Sequence, residues 1–90
     1  MLGTYAHAVS EPAFVYLLRC ADGSLYCGWT YDVEQRLAKH QAGTASRYTR
    51  SRLPVQLAWS AELPGRTEAM REEIRIKRLS RAEKQRLAAG

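Results

Sequence analysis

Cysteine is scarce in this chain, present only as Cys20 and Cys27, and histidine is equally scarce, present only as His7 and His40. All four would be needed to complete one tetrahedral zinc site, and the cysteine spacing matches none of the usual zinc patterns. The two thiols therefore read as small buried hydrophobes in a reducing compartment. Long apolar runs are missing too, since none approaches the ~20 residues that cross a bilayer. The N-terminus has neither the basic region nor the apolar stretch of a secretory signal. The expected location is the cytoplasm, with no membrane partner. No internal repeat or low-complexity tract is present.

Carboxylates are outnumbered, nine Asp plus Glu against fourteen Lys plus Arg, which leaves a net charge of +5. Such a balance favours a polyanionic partner. Arg47, Arg50 and Arg52 crowd one loop that contains no carboxylate, and a phosphate backbone is the natural partner for it. Arg71, Arg75, Lys77, Arg78, Arg81, Lys84 and Arg86 crowd the C-terminal third, where acidic helix neighbours are available. The length of 90 residues and the 46% hydrophobic content suit one modest core. Any active site must lie on the surface of that core.

Met1 to Pro12 lacks any period and reads as a flexible leader over 1–12, with His7 solvated in it, ahead of a single domain over 13–90. Phe14 to Cys20 and Ser24 to Thr30 are apolar and aromatic-rich, and Ala21-Asp22-Gly23 between them signals a hairpin. A two-residue turn would put Tyr16 and Tyr26 on opposite faces of the sheet. A three-residue loop with Gly23 left-handed would instead pair Leu18 with Tyr26 and Tyr16 with Gly28, placing both phenols on one face and Cys20 and Cys27 on opposite ones. The second register is expected, with Gly28 leaving space beside Tyr16.

Asp32 with Gln35 resembles a capping box, and Gly43 supplies a helix stop. On the helix between them Val33 and Leu37 mark the buried side, with Arg36 and His40 beside them one turn apart. Gly43 to Pro54 reads as a basic loop in which Tyr48 lies among arginines, an interleaving suited to a passing nucleic-acid strand. Val55 to Ala61 reads as a third strand. A helix from about Thr67 is expected to bury Ala69, Met70, Ile74 and Ile76, with Glu73 in the middle of that stripe and Glu72 towards the polar side. Ser80 to Glu83 forms a second capping box, starting a final helix to about Ala88. The expected class is α+β, a three-stranded antiparallel sheet flanked by helices in the order β-β-α-β-α-α.

Taken singly, Arg36 could merely snorkel and His40 could merely favour a helix dipole. Taken with two phenols on one face and an inward carboxylate, they suggest chemistry. Arginine and histidine suit a phosphate, tyrosine can donate or accept a proton, and one glutamate suits one hard divalent cation. One carboxylate without an activated nucleophile points away from acyl transfer and glycoside hydrolysis and towards phosphodiester hydrolysis by water.

Phe14-Val15-Tyr16, then Tyr26-Cys27-Gly28, then Arg36, His40 and a late helical Glu73 resemble the GIY-YIG endonuclease superfamily, in particular its small stand-alone YhbQ-like members. The resemblance runs from Phe14 to Leu87. The first motif reads FVY for GIY and the second YCG for YIG, and both keep tyrosine and glycine in place. The resemblance implies a divalent-metal-dependent DNA nuclease, endonucleolytic and acting in DNA repair, recombination or processing. It implies Tyr16, Tyr26, Arg36 and His40 as catalytic residues and Glu73 as ligand of one Mg²⁺ or Mn²⁺, with no small-molecule cofactor. Arg47, Tyr48, Arg50, Arg52 and Lys77 are the expected DNA contacts, with Tyr48 favouring single strands by stacking, and a monomer is expected. Two other readings stand beside it, a non-catalytic nucleic-acid-binding module that retains the fold and a protein-interaction domain using the C-terminal basic helices.

Overall fold

A computed structural model describes residues 11–90. Most of the expected leader, His7 included, lies outside the described residues. The elements run β1 (Ala13–Arg19), β2 (Leu25–Thr30), α1 (Val33–Gln41), α2 (Arg47–Arg50), β3 (Gln56–Leu63), α3 (Arg66–Lys77) and α4 (Arg81–Ala89). The three strands form one antiparallel sheet in the order β2-β1-β3, so β2 is an edge strand.

The hairpin adopts the expected register, pairing Leu18 with Tyr26 and Tyr16 with Gly28. Its turn is closed by hydrogen bonds from Cys20 N to the Ser24 carbonyl and from Gly23 N to the Cys20 carbonyl, with Gly23 left-handed at φ 86°. Asp22 accepts from both Ser24 N and Ser24 Oγ, which fixes the loop from the side-chain end. Side-chain alternation then divides the sheet into two faces. One face carries Val15, Leu17 and Cys27 under Ile76 of α3, with Leu79 and Leu87 packed around them. Burying aliphatic side chains of this size contributes about 1.5–3 kcal/mol each, so this face supplies most of the cohesion. The other face carries Tyr16, Leu18, Cys20 and Val55 with Leu37 of α1, a smaller cluster in which polar groups take up much of the space. The cysteines lie on opposite faces, both buried and both free.

Helix α1 starts where Asp32 accepts from Gln35 N. Only this half of the expected capping box is present, and the Gln35 side chain is exposed. The helix ends in a Schellman motif, with Gly43 N donating to the His40 carbonyl, Thr44 N to the Lys39 carbonyl, and Gly43 at φ 78°. The Gln41 side chain then donates to and accepts from the backbone of Val55, so that Val55 is held by a side chain and β3 begins one residue later, at Gln56, and runs on to Leu63. Within the basic loop, Ser46 caps a single helical turn, α2, by accepting from Thr49 N.

Helix α3 differs from the expected stripe. Ala69 and Ile76 are buried, but Met70 and Ile74 are 44% and 50% exposed. At about 100° per residue the helix faces the sheet along the Ala69–Ile76 line, which leaves Met70 and Ile74 to one side and sets Glu72 and Glu73 on its two flanks. The final capping box forms as expected, Ser80 Oγ accepting from Glu83 N and Glu83 from Ser80 N. Gln85 of α4 accepts from Arg19 and donates to the Gly23 carbonyl, tying the last helix to the hairpin.

Candidate active site

Tyr16 enters the site from β1 because its phenol crosses the sheet over Gly28. A Cβ at Gly28 would lie 2.5 Å from the Tyr16 hydroxyl, so the glycine creates the space the ring occupies. The phenol is 2% exposed and sits 2.9 Å from Nε2 of His40, itself 1% exposed on the last turn of α1. Nδ1 of His40 lies 2.8 Å from Oγ1 of Thr49, which is fully buried and reaches on to Ser46 Oγ at 3.0 Å. A neutral imidazole donates from one nitrogen and accepts at the other. The sense that gives every proton an acceptor runs from Tyr16 O–H to Nε2, from Nδ1–H to Thr49, and from Thr49 O–H to Ser46. In the reverse sense the phenolic proton would have no acceptor among the described residues.

Burial pushes the Tyr16 phenol up to about 12, with Tyr26 adding to the rise and the Arg36 guanidinium pulling the other way. Burial also holds His40 below its ordinary value, and Arg36 lowers it further. Both groups are thus neutral near neutral pH, and the buried chain from β1 through α1 to α2 carries hydrogen bonds without charge.

Tyr26 is the more open of the two phenols. Its ring meets His40 edge-on at 5.2 Å and stacks with Tyr48 at 5.8 Å and 28°. The Arg52 guanidinium sits 3.8 Å over the Tyr48 ring, and its Nε pairs with Asp22 at 3.0 Å. The carboxylate missing from the basic loop is therefore provided by the hairpin turn. Arg47 and Arg50 are exposed and line a cleft of about 360 Å³ with Gly43, Thr44 and Ser46.

Tyr16, Tyr26, Arg36, His40, Tyr48 and Arg52 are thus brought together on the α1 side of the sheet. Glu73 is not part of this cluster. It stands on α3, which packs on the other face, with a side chain 20% exposed and Lys77 Nζ 3.4 Å away. Its charge bears on Cys27, whose thiol is pushed up to about 11 by burial first and Glu73 second. Lys77 is an exposed partner of Glu73 rather than a bare cation. Among the described residues no three potential ligands cluster. Thr49 and Ser46 are not singled out by sequence, and Asp22 is marked there only as a turn residue. A Ser-x-x-Thr spacing that caps a turn was the available signal for the first two, whereas Asp22 joins through a pairing 30 residues apart that no local pattern encodes.

Comparison with known proteins matches residues 12–86 to the GIY-YIG catalytic domain family. A UPF0213 protein of Nitratidesulfovibrio vulgaris is 57% identical over 68 residues, covering 76% of this chain and 62% of that relative, a little under two thirds of its length. A UPF0213 protein of Halobacterium salinarum is 49% identical over 73 residues, covering 81% of this chain and 95% of its own. The solution NMR structure of the UPF0213 protein BH0048 from Bacillus halodurans aligns with a TM-score of 0.56 at 44% identity, covering 87% of this chain and 83% of that one.

Proposed function

The chain belongs to the GIY-YIG catalytic domain family, and from that premise we propose that it is a metal-dependent DNA endonuclease, cytoplasmic, acting in repair, recombination or processing of DNA. The observation that carries the reading is the convergence of Tyr16, Tyr26 and Arg36 on one face, with Gly28 making room for the Tyr16 ring. A structural domain of this size would fill such positions with aliphatic side chains.

In this reading Arg36 binds the scissile phosphate, where a guanidinium is suited to two parallel hydrogen bonds. Tyr26, the more accessible phenol, orients the attacking water. Water oxygen bonds to phosphorus and gives up a proton to solvent as the bond to one sugar oxygen breaks, and that oxygen leaves with a proton from solvent. Tyr16 keeps its proton, and with His40 and Thr49 it sets the position of the Tyr26 ring and of Arg36. His40 is too buried to touch substrate and works as a positioning residue. Arg47 and Arg50 hold the flanking backbone.

Glu73 alone is compatible with one magnesium ion, since Mg²⁺ takes one or two carboxylates and completes its shell with water and substrate phosphate. Glu73 would hold it, giving up an exposed pairing with Lys77 of a kind that contributes about 0–1 kcal/mol. When bound, the ion supplies positive charge against which charge developing on the phosphate is stabilised.

The position of Glu73 across the sheet, paired with Lys77, favours the second reading of a binding module without catalysis. Labelled single-stranded, duplex and branched DNA, incubated with the protein in magnesium or in chelator, separates the two. Magnesium-dependent cutting of any of the three supports the nuclease, while retarded but intact DNA in all three supports the module.

A further inference from the structure

The outer end of β2 carries an aromatic corner that the nuclease reading does not use. Trp29 and Tyr31 meet edge to face, ring centroids 5.2 Å apart at 86°, and Tyr31 is 42% exposed. With Thr30, Asp32, Gln35 and Arg36 they line a cleft of about 360 Å³. That is within the size range of small-molecule sites and enough for one nucleoside. Arg36 is common to this cleft and to the Tyr16–Tyr26 cluster. The Asp32 carboxylate is committed to Gln35 N, while the amide of Gln35 has no partner among the described residues and can meet the edge of a base.

We propose that this cleft is a subsite for one unpaired nucleobase next to the phosphate held by Arg36, with Tyr31 as the stacking surface and Gln35 on the base edge. The proposal rests on the nuclease reading and deepens it. Asp32 argues for a base in the cleft and against a second phosphate, because a carboxylate repels an anion and tolerates a neutral heterocycle. Tyr48, the stacking platform expected from sequence, already carries Tyr26 and Arg52 on its ring, whereas Tyr31 has an edge contact and an open side. A base in a continuous duplex is stacked and paired and cannot enter. The subsite therefore selects single strands, frayed ends and flaps.

The test is fluorescence anisotropy in chelator, so that nothing is cut, with a labelled thymidine decamer, an abasic decamer of the same charge and a ten-pair blunt duplex. The thymidine decamer is expected to bind more tightly than the abasic one, and Tyr31→Ala to weaken it about 5- to 150-fold with abasic binding unchanged. Tyr31→Phe should restore the difference, because the ring and not the hydroxyl does the stacking. Equal affinity for the thymidine and abasic decamers, or a preference untouched by Tyr31→Ala, would overturn the subsite and leave the nuclease reading standing. Failure of all three DNAs to bind would overturn both.

Discussion

Replacing Gly28 by alanine tests how tightly the site is built. In an open strand the change should stabilise by about 0.5–1 kcal/mol, because glycine loses more conformational freedom on folding. Here the new Cβ would lie 2.5 Å from the Tyr16 hydroxyl oxygen and 2.7 Å from Cζ, about 1 Å inside the usual separation of non-bonded carbons. Tyr16 is 2% exposed and its hydroxyl is held by His40, so the ring has nowhere to swing. Overpacking of this kind costs about 1–3 kcal/mol, and breaking the buried hydrogen bond adds about 1–2. The sum, about 2–5 kcal/mol, outweighs the entropic gain and leaves a net loss of about 1–4.5 kcal/mol, which at about 4–8 °C per kcal/mol for a domain of this size lowers Tm by about 4–36 °C. Thermal melts of Gly28→Ala, Tyr16→Leu and the double variant measure it, with the double variant expected to lose clearly less than the two singles combined because the leucine vacates the space. A Gly28→Ala protein as stable as the parent, or simple additivity, would refute the packing argument.

Thr49→Val keeps the shape and removes the acceptor of His40 Nδ1, leaving a buried N–H unmatched at a cost of about 1–3 kcal/mol. Thermal melts should show the loss for valine and little for Thr49→Ser, and superimposable valine and parent curves would contradict the chain. His40 sits below its ordinary value when folded, so on acidification the unfolded chain takes up a proton first. Stability should therefore be full above about pH 6.5, fall by up to about 1.4 kcal/mol per pH unit down to the folded value, and level off below it. Urea midpoints should show this fall, flattened in His40→Gln. Arg50→Ala should lower the salt slope of DNA binding by about one. Arg52→Ala should instead lower stability by roughly 1–2 kcal/mol, through a surface pair and a cation–aromatic contact; equal effects of the two on both readouts would remove the distinction.

The parts of the fold that were legible from sequence are those set by local rules. A three-residue Ala21-Asp22-Gly23 loop with Gly23 left-handed was one of two local solutions, and side-chain alternation ties that loop length to both tyrosines on one face. Asp32, Gly43 and the Ser80–Glu83 box marked helix ends because capping groups act within four residues. What escaped depended on distant partners. The turn Arg47–Arg50 is too short for a periodic signal, and Arg52 looked unpaired because Asp22 is 30 residues away. Met70 and Ile74 looked buried because α3 is narrow in apolar residues, and only its packing on β1 and β2 selects the Ala69–Ile76 line. The depth of His40 was likewise hidden, since it follows from Tyr16 on one side and Thr49 on the other.

The joining of Glu73 to a chemistry laid out on the opposite face is the step on which the nuclease account turns. Single-turnover cleavage of labelled DNA by the parent and Glu73→Ala proteins, across a magnesium titration and with affinity measured in parallel, tests it directly. The account predicts that the variant binds DNA as the parent does and cuts at least a hundredfold more slowly at every magnesium concentration, roughly 3 kcal/mol of lost transition-state stabilisation. Parent-like cutting by Glu73→Ala would contradict it.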